Sequence, residues 1–449
     1  MIAKKGHRAY EVSPLVVQAD NCAEIRIRPL AEEFNFAKLG EVELYYRACE
    51  GFLPDGKVNT ELDNHPAPEW HIIDGVLSII GEFAGEQEHR LELWAKGSDR
   101  LNPEVLASFK IYSVKDDLFK IRPFRGNFHQ HSSFSPCIGS FDSPGYVIGR
   151  SRQIGLDFTA VTDHFLYKPS LEAIDAFNDA LVDIKIFPGE EIHPPPDFCL
   201  HIVNFGGTCG ISDIIKNDEN LFLKEVNEIS LTLQDLPEGL DPYRVASAEW
   251  VFRKIQETGG MAILAHPYWF YDYLRGFMMA EALTTALLQQ NKFDAVEIIS
   301  GFEKSHVEYN NLQVMRYFEE KAKGNHFPIV GVNDSHSCDG GNSTFTWFST
   351  IVLCKSSELD DIINGVKSFK SVAVESLSGE TTRCYGEFRI VKYVHFLLRE
   401  YFPVHDRLCM EEGTAMLDFL NGDPHAVKRL KLLKGRVADW QECCFSIAN

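Results

Sequence analysis

The residues able to do chemistry lie at the ends of short apolar runs. They are FHQH with His129 and His131, TDH with Asp163 and His164, PGEE with Glu190 and Glu191, LHIVNF with His201, AHP with His266, and NDSH with Asp334 and His336. Neutral imidazoles and carboxylates together are a ligand set for zinc, manganese or iron. A His-x-His on an extended segment turns both rings to one side, because strand side chains alternate with period 2. One histidine at a strand end is ordinarily a hydrogen-bonded or surface residue. Many of them, repeated at successive strand ends beside carboxylates, would bury charges without partners unless a cation holds them together.

The segments that must position these groups read as strands followed by helices. Short buried-looking runs at 126–129, 158–162, 185–188, 200–205, 261–265, 295–299 and 328–332 alternate with helical segments such as 146–153, 171–181 and 248–256. The last of these is stopped by Gly259 and Gly260, as a helix C-terminus requires. Seven alternations predict an α/β barrel, whose strand ends converge on one face and build the active site there. The stretch 206–240 is too long for an ordinary connection and predicts an insertion with its own short helices, able to serve as a lid.

Outside this region the texture changes. Residues 1–120 alternate apolar and polar positions in AEIRIRPL, VELYYRA and HRLELWA, predicting antiparallel strands in a small sandwich. Residues 376–449 turn helical, with YVHFLLREYF and AVKRLKLLKGR, and carry no cluster of reactive groups. The expected organisation is therefore a β-rich domain over 1–120, the barrel over 121–375 and a helical appendage over 376–449.

Composition bounds the function classes. The 449 residues, 45% hydrophobic and 24% charged, suffice for a full core. Lys+Arg 44 against Asp+Glu 65 gives a net charge of -21, which repels polyanions at long range and favours a small phosphorylated substrate over long nucleic acid. The 11 cysteines form no CxxC pair, and Cys443 and Cys444 are adjacent, which argues against a disulfide framework and for a reducing compartment. No apolar run has the length of a signal core or a membrane span, so a soluble, cytoplasmic protein without membrane contact is expected. Nothing in the sequence sets the oligomeric state.

As an ordered set, His-x-His, Thr-Asp-His, Pro-Gly-x-Glu, a lone His, Ala-His-Pro and Asp-x-His resemble the PHP phosphoesterases, named for polymerase and histidinol phosphatase. The resemblance covers about half of the chain, from Arg122 to Glu375, and implies a distorted seven-stranded barrel holding two or three divalent metal ions. One metal would use His129, His131, Glu191 and Asp334, a second His201, His266 and the bridging Glu191, and a third His164 and His336. Of the adjacent carboxylates the family register selects Glu191, leaving Glu190 structural. The family carries an aspartate soon after the His-x-His; here Pro136 takes its place and cannot ligate, so Asp142 in the following loop is the candidate substitute.

Supporting roles follow from chemistry. Asp163 is expected to orient a neighbouring imidazole, and Glu297 to do the same or to meet substrate. His193, ahead of three prolines, and His306 and His326 are expected to be non-ligands. Arg150, Arg152, Lys168 and Lys304 are the candidate phosphate contacts. A metal pair bridged by a carboxylate brings a shared water to hydroxide near neutral pH. By the same resemblance Asp334 would then manage the proton, while His336 and His164, through a third cation or directly, would stabilise phosphoryl oxygens or the leaving group. The expected reaction is hydrolysis of a small phosphate mono- or diester. The alternatives are a carboxylic ester, lactone or amide hydrolysed at the same centre, and a non-catalytic metal- or ligand-binding module.

Overall fold

Strict alternation shapes the first part of the chain. In Cys22–Pro29, Ile25 and Ile27 are buried while Arg26 and Arg28 face solvent, the pattern of a strand covered on one face. The computed structural model describes residues 9–445 apart from 54–55, 60–64, 67–68, 138–140, 197–198, 272–275, 302 and 342. One sheet orders Tyr10–Ser13, Cys22–Pro29, Val76–Glu82 and Glu69–Ile73, all antiparallel. A second orders Val16–Gln18, Val105–Val114, Gln87–Ala95, Val42–Ala48 and His65–Pro66. Ile25, Ile27, Leu44, Ile79, Leu91, Leu93 and Phe109 share one core.

The chain divides into two compact units. The first is Met1–Arg122 with Lys392–His405 and Gly435–Asn449; the second is Pro123–Val391 with Asp406–Lys434. The C-terminal region is helical, with Phe388–Glu400, Phe402–Leu420, Ala426–Leu433 and Arg436–Phe445. It is not one appendage, since its segments are shared out between the units.

The second unit is a mixed α/β assembly of sheets. One orders Lys185–Phe187, Phe158–Ala160, Arg122–Asn127, Phe348–Cys354, Ser371–Glu375 and Arg383–Tyr385, parallel among the first three and antiparallel at the far end. The other orders Gly189–Ile192, Ile202–Phe205, Met261–Leu264, Ala295–Ile299 and Ile329–Gly331, its first two pairings antiparallel and its last two parallel. These pairings do not clearly draw the distorted seven-stranded barrel expected from the sequence. The expected strands fall into two sheets, and the isolated bridges Gln130↔Ser335 and His164↔Glu191 join them at or beside residues of the candidate centre.

Helices pack on these sheets for legible reasons. Pro242–Glu257 starts with Asp241 accepting from the Tyr243 amide and proline in the first turn, and ends at Gly259 with φ +78. The 206–240 stretch forms Ile211–Asn217 and Glu219–Ser230. Phe222 and Val226 are buried in the main core, with Phe222 edge-on to Trp250 at 4.9 Å, so this segment is part of the packed body and not a free lid.

Two buried polar groups allow tests of this architecture. Arg152, on Pro144–Gln153, donates to Glu412 at 2.7 Å and to Asp157 at 3.0 Å. Arg152→Ala would strand both carboxylates and is expected to cost ~3–5 kcal/mol, read from the denaturant midpoint; a loss below ~1 kcal/mol, the scale of an exposed ion pair, would mean that they rehydrate freely. In the first unit His89 sits between the Tyr46 hydroxyl at 2.9 Å and Ser113 Oγ at 2.6 Å, and burial pushes its pKa down to about 3 from 6.5. The unfolded chain therefore binds this proton first as pH falls, so stability is complete above 6.5 and declines from there toward 3. In denaturation measured across that range, His89→Gln should remove part of the acid-side slope.

Candidate metal centre

Glu191 lies within Gly189–Ile192, and the strands around it bring imidazoles to it from both sheets. His129 and His131 follow Arg122–Asn127, His164 follows Phe158–Ala160, His266 follows Met261–Leu264, and Asp334 and His336 follow Ile329–Gly331. His201 instead precedes Ile202–Phe205. That strand runs antiparallel to Met261–Leu264, with Ile202 opposite Leu264, so its start lies at the same end as the other strands' exits. The ligand-bearing residues are also tied through their backbones: Asp334 N–H donates to His129 O at 3.0 Å, His131 N–H to Ser335 O at 3.0 Å, Phe165 N–H to Glu191 O at 2.9 Å and Glu191 N–H to Asp163 O at 3.2 Å.

The carboxylate of Glu191 divides the histidines into two sets. Its Oε2 lies 3.2 Å from His129 Nε2, 3.3 Å from His131 Nε2 and 2.7 Å from His164 Nδ1. Its Oε1 lies 2.6 Å from His201 Nδ1 and 3.4 Å from His266 Nε2. Asp334 spans a similar gap, with Oδ1 3.0 Å from His131 Nε2 and 3.3 Å from His129 Nε2, and Oδ2 3.7 Å from His266 Nε2. Ring orientation is set from behind. His129 Nδ1 contacts Glu297 at 2.8 Å, a carboxylate that also accepts from the His266 amide at 3.2 Å. His131 Nδ1 pairs with Ser135 Oγ at 3.1 Å, and Asp163 accepts from the Ser132 amide at 2.7 Å, fixing the loop after the His-x-His. Both Nε2 atoms are thereby aimed at the carboxylates.

These residues fit a metal. Both Glu191 oxygens, both His201 ring nitrogens and His266 Nε2 are buried without a hydrogen bond, a deficit of a kind that folded proteins rarely leave uncompensated. Groups of ligand atoms within 4.8 Å of one another include His129–His131–Glu191, His129–His266–Asp334, His131–His164–His336 and His164–Glu191–His193–His201. Protonation follows the same charges. Burial opposes the imidazolium of His129, yet Asp334 and Glu191 outweigh it and hold its pKa well above the ordinary value. His164 is pushed up to about 9 as Glu191 overcomes burial, whereas burial wins at His201 and brings it to about 4. Burial would raise Glu191, but His164, His129 and His201 keep it well below the usual carboxylate range.

Several expectations are corrected. Asp142 does not turn to His164 and His336: its Oδ2 accepts from the Cys338 amide at 2.8 Å, and among the described residues it joins none of the ligand groups. The four candidate phosphate cations are engaged elsewhere. Arg152 is buried on Glu412 and Asp157, Arg150 pairs with Asp339 at 2.8 Å, Lys168 pairs with Glu172 on an exposed helix face, and Lys304 lies over the Trp347 ring at 5.2 Å. Proximity in sequence to a strand end does not set where a helical side chain points. Glu190 receives the Ser212 amide at 3.3 Å and so holds the start of Ile211–Asn217. His193, set aside in the sequence, sits among the ligands with Nε2 2.8 Å from His164 Nδ1. Beside the centre a small, partly open pocket is bounded by Trp269, Ser300, His306, Tyr309, Asn310 and Gln313, with His266 and Asp334 on its wall.

No protein-family model matches the chain, and no curated protein matches it. Among solved structures it is similar to a two-domain protein from Bacteroides vulgatus containing a predicted PHP-like metal-dependent phosphoesterase, at 16% identity over 57% of this chain and 65% of that one, TM-score 0.37. It is also similar to Endonuclease Q in complex with a 27-mer duplex substrate bearing an abasic lesion, at 12% identity over 55% and 57%, TM-score 0.35. A third is the lesion-specific endonuclease Q of Pyrococcus furiosus, at 12% identity over 58% and 57%, TM-score 0.34. The matched regions span between 57% and 65% of those structures' lengths. The duplex in one of them corrects the expectation of a small substrate and no long nucleic acid. A net charge of -21 is a sum over the whole surface, whereas a phosphate responds to the local field, which cations in a site reverse. Among the described residues no helix is long and apolar enough to cross a membrane.

If Glu191 carries the centre, Glu191→Gln should weaken metal binding by more than the ~10–100-fold that loss of an outer hydrogen-bonding partner costs. Competition with a chromophoric chelator measures this, and unchanged affinity would reduce Glu191 to an orienting role.

Proposed function

We propose that the chain is a metal-dependent hydrolase of phosphoesters, working with two or three divalent cations of the zinc, manganese or iron type. The observation that carries the reading is Glu191, fully buried, with two oxygens that make no hydrogen bond and face separate sets of imidazoles. His129, His131 and Asp334 would hold a cation on one side of it and His201 on the other, with His266 reaching toward both carboxylates. Bound cations of this kind polarise a phosphoryl oxygen and bring the pKa of a water toward neutrality. The chain's own residues supply the rest. Asp334 stays ionised despite burial because His129 and His131 lie against it, which suits it to hold a cation and to accept a hydrogen bond from a water. Glu297 and Ser135 keep the rings of His129 and His131 from turning. His336, its ring 4.1 Å from that of His131, stands where a phosphoryl oxygen or a further cation would sit.

The reading is tested with protein purified without chelator, analysed for metals, and offered phosphomonoesters, phosphodiesters, an abasic duplex, and carboxylic esters and lactones. Phosphoester cleavage that disappears on chelation is expected, and Asp334→Asn should lower kcat by at least ~10²-fold, the scale of losing a polar group that acts in the transition state. Cleavage of esters or lactones with no phosphoester turned over would replace this reading with a carboxylic ester hydrolase.

A further inference from the structure

The strand register places one more imidazole at the centre. Gly189–Ile192 pairs antiparallel with Ile202–Phe205, with Glu191 opposite Val203 and Ile192 opposite Ile202. Continuing that count sets His193 across from His201, and the two rings stack at 3.9 Å and 20°. His193 is also two residues beyond Glu191, so strand alternation turns both toward one side. Its position is fixed on its other flanks, by the Phe165 ring at 4.3 Å and by Ser247 Oγ donating to Pro195 O at 2.7 Å in the segment that follows.

His193 Nε2 approaches His164 Nδ1 at 2.8 Å, and the same His164 nitrogen is 2.7 Å from Glu191 Oε2. One ring proton cannot serve both neighbours, whereas a cation can be shared by all three. The ligand atoms of His164, Glu191, His193 and His201 all lie within 4.8 Å of one another. Four ligands at ~2.0–2.1 Å from a tetrahedral zinc would be ~3.4 Å apart, so side-chain shifts that open the tight pairs, draw in the wider ones and tilt the stacked rings of His193 and His201 would close the set.

We propose that His193 is a metal ligand, completing with His164, Glu191 and His201 a four-coordinate site of three nitrogens and one oxygen supplied wholly by this chain. The proposal rests on the metal-centre reading above. Such a site, filled by the chain, suits zinc or cobalt(II) in tetrahedral geometry as a structural cation and leaves water and phosphate to the cation on the His129, His131 and Asp334 side. His266 is then left to Asp334 and His129, the group in which its ligand atom also lies. Position 193 thus adds an imidazole on the His164 side, where Pro136 offers no carboxylate and Asp142 is turned away.

The test uses the full chain titrated with cobalt(II). Wild type should show the intense visible absorption of four-coordinate cobalt at one equivalent, and His193→Ala should lose that absorption while the remaining cobalt stays bound. His193→Cys should gain a sulfur-to-cobalt charge-transfer band, which only a ligating side chain produces. Circular dichroism checks that the variants fold, and the wild-type spectrum needs no variant. Only weak six-coordinate bands in wild type, a tetrahedral spectrum unchanged in His193→Ala, or no charge-transfer band in folded, cobalt-loaded His193→Cys would overturn the proposal. If wild type binds no cobalt at all, the metal centre itself falls; if it binds and the spectra ignore position 193, only this inference falls.

Discussion

A carboxylate at zero exposure between imidazoles is the constraint around which the second unit is built. Glu191 has His129, His131, His164, His201 and His266 within ion-pair distance, drawn from both sheets. Placing a charge at such a depth is unfavourable by several kcal/mol unless it is compensated. Protons on the imidazoles compensate it in part: Asp334 with Glu191 holds that of His129, and Asp163 and Asp334 with Glu191 hold that of His131. A divalent cation does so more completely, and metal and protons compete for the same nitrogens. The isolated bridges between the two sheets, His164↔Glu191 and Gln130↔Ser335, fall at or beside these residues, so the centre sits where the sheets meet.

Holding the ligands this close requires backbone that most residues avoid. Asp334 has φ +43, His266 +23, and Phe165, next to His164, +62. Left-handed conformations at non-glycine residues cost on the order of 1–2 kcal/mol each. They persist because the surroundings over-determine them. Asn127 donates to His129 O at 2.9 Å and to Asn333 Oδ1 at 3.0 Å, and receives the Asn333 amide at 3.0 Å, so the loops carrying His129 and Asp334 are cross-tied beneath the centre. These three strained positions lie in or beside the loops that carry the candidate ligands.

How much of this could be read in the residues depends on how local the signal is. The alternation of Ile25 and Ile27 with Arg26 and Arg28 is complete within one strand, and it predicts the sandwich directly. His129 and His131 are equally local, since period 2 alone turns them together. Strand direction is not local: His201 looks like a strand-end residue on either reading, and only the pairing of Ile202 with Leu264 reveals that its strand runs the other way. The position of His193 was nearly legible. The prolines after it suggest a loop, yet its spacing from Glu191 repeats that of His129 and His131, and the same alternation argument applies. The candidate cations misled for the opposite reason, because Arg150, Arg152 and Lys168 lie on helices, where a side chain's direction is set by what the helix packs against.

With Arg150 and Arg152 paired with carboxylates, the positive field that the proposed phosphoester requires would come chiefly from cations at the centre. Without metal, the centre offers carboxylates and imidazoles whose charges largely cancel; with metal, the same residues present a net positive surface in a low-dielectric pocket, where each charge counts for more than at the exterior. Metal binding and substrate binding are therefore coupled by electrostatics and not only by chemistry. The acidic exterior acts mainly on approach, slowing encounter with polyanions at low ionic strength and much less once salt screens it over ~8–10 Å. In the proposed reaction the group joined to the phosphate would meet the walls beside Asp334, where Trp269 and Tyr309 offer flat faces and Ser300, Asn310 and Gln313 are uncharged. Such walls neither repel nor attract a polyanion as a whole, so they discriminate by the shape and stacking of whatever is joined to the phosphate.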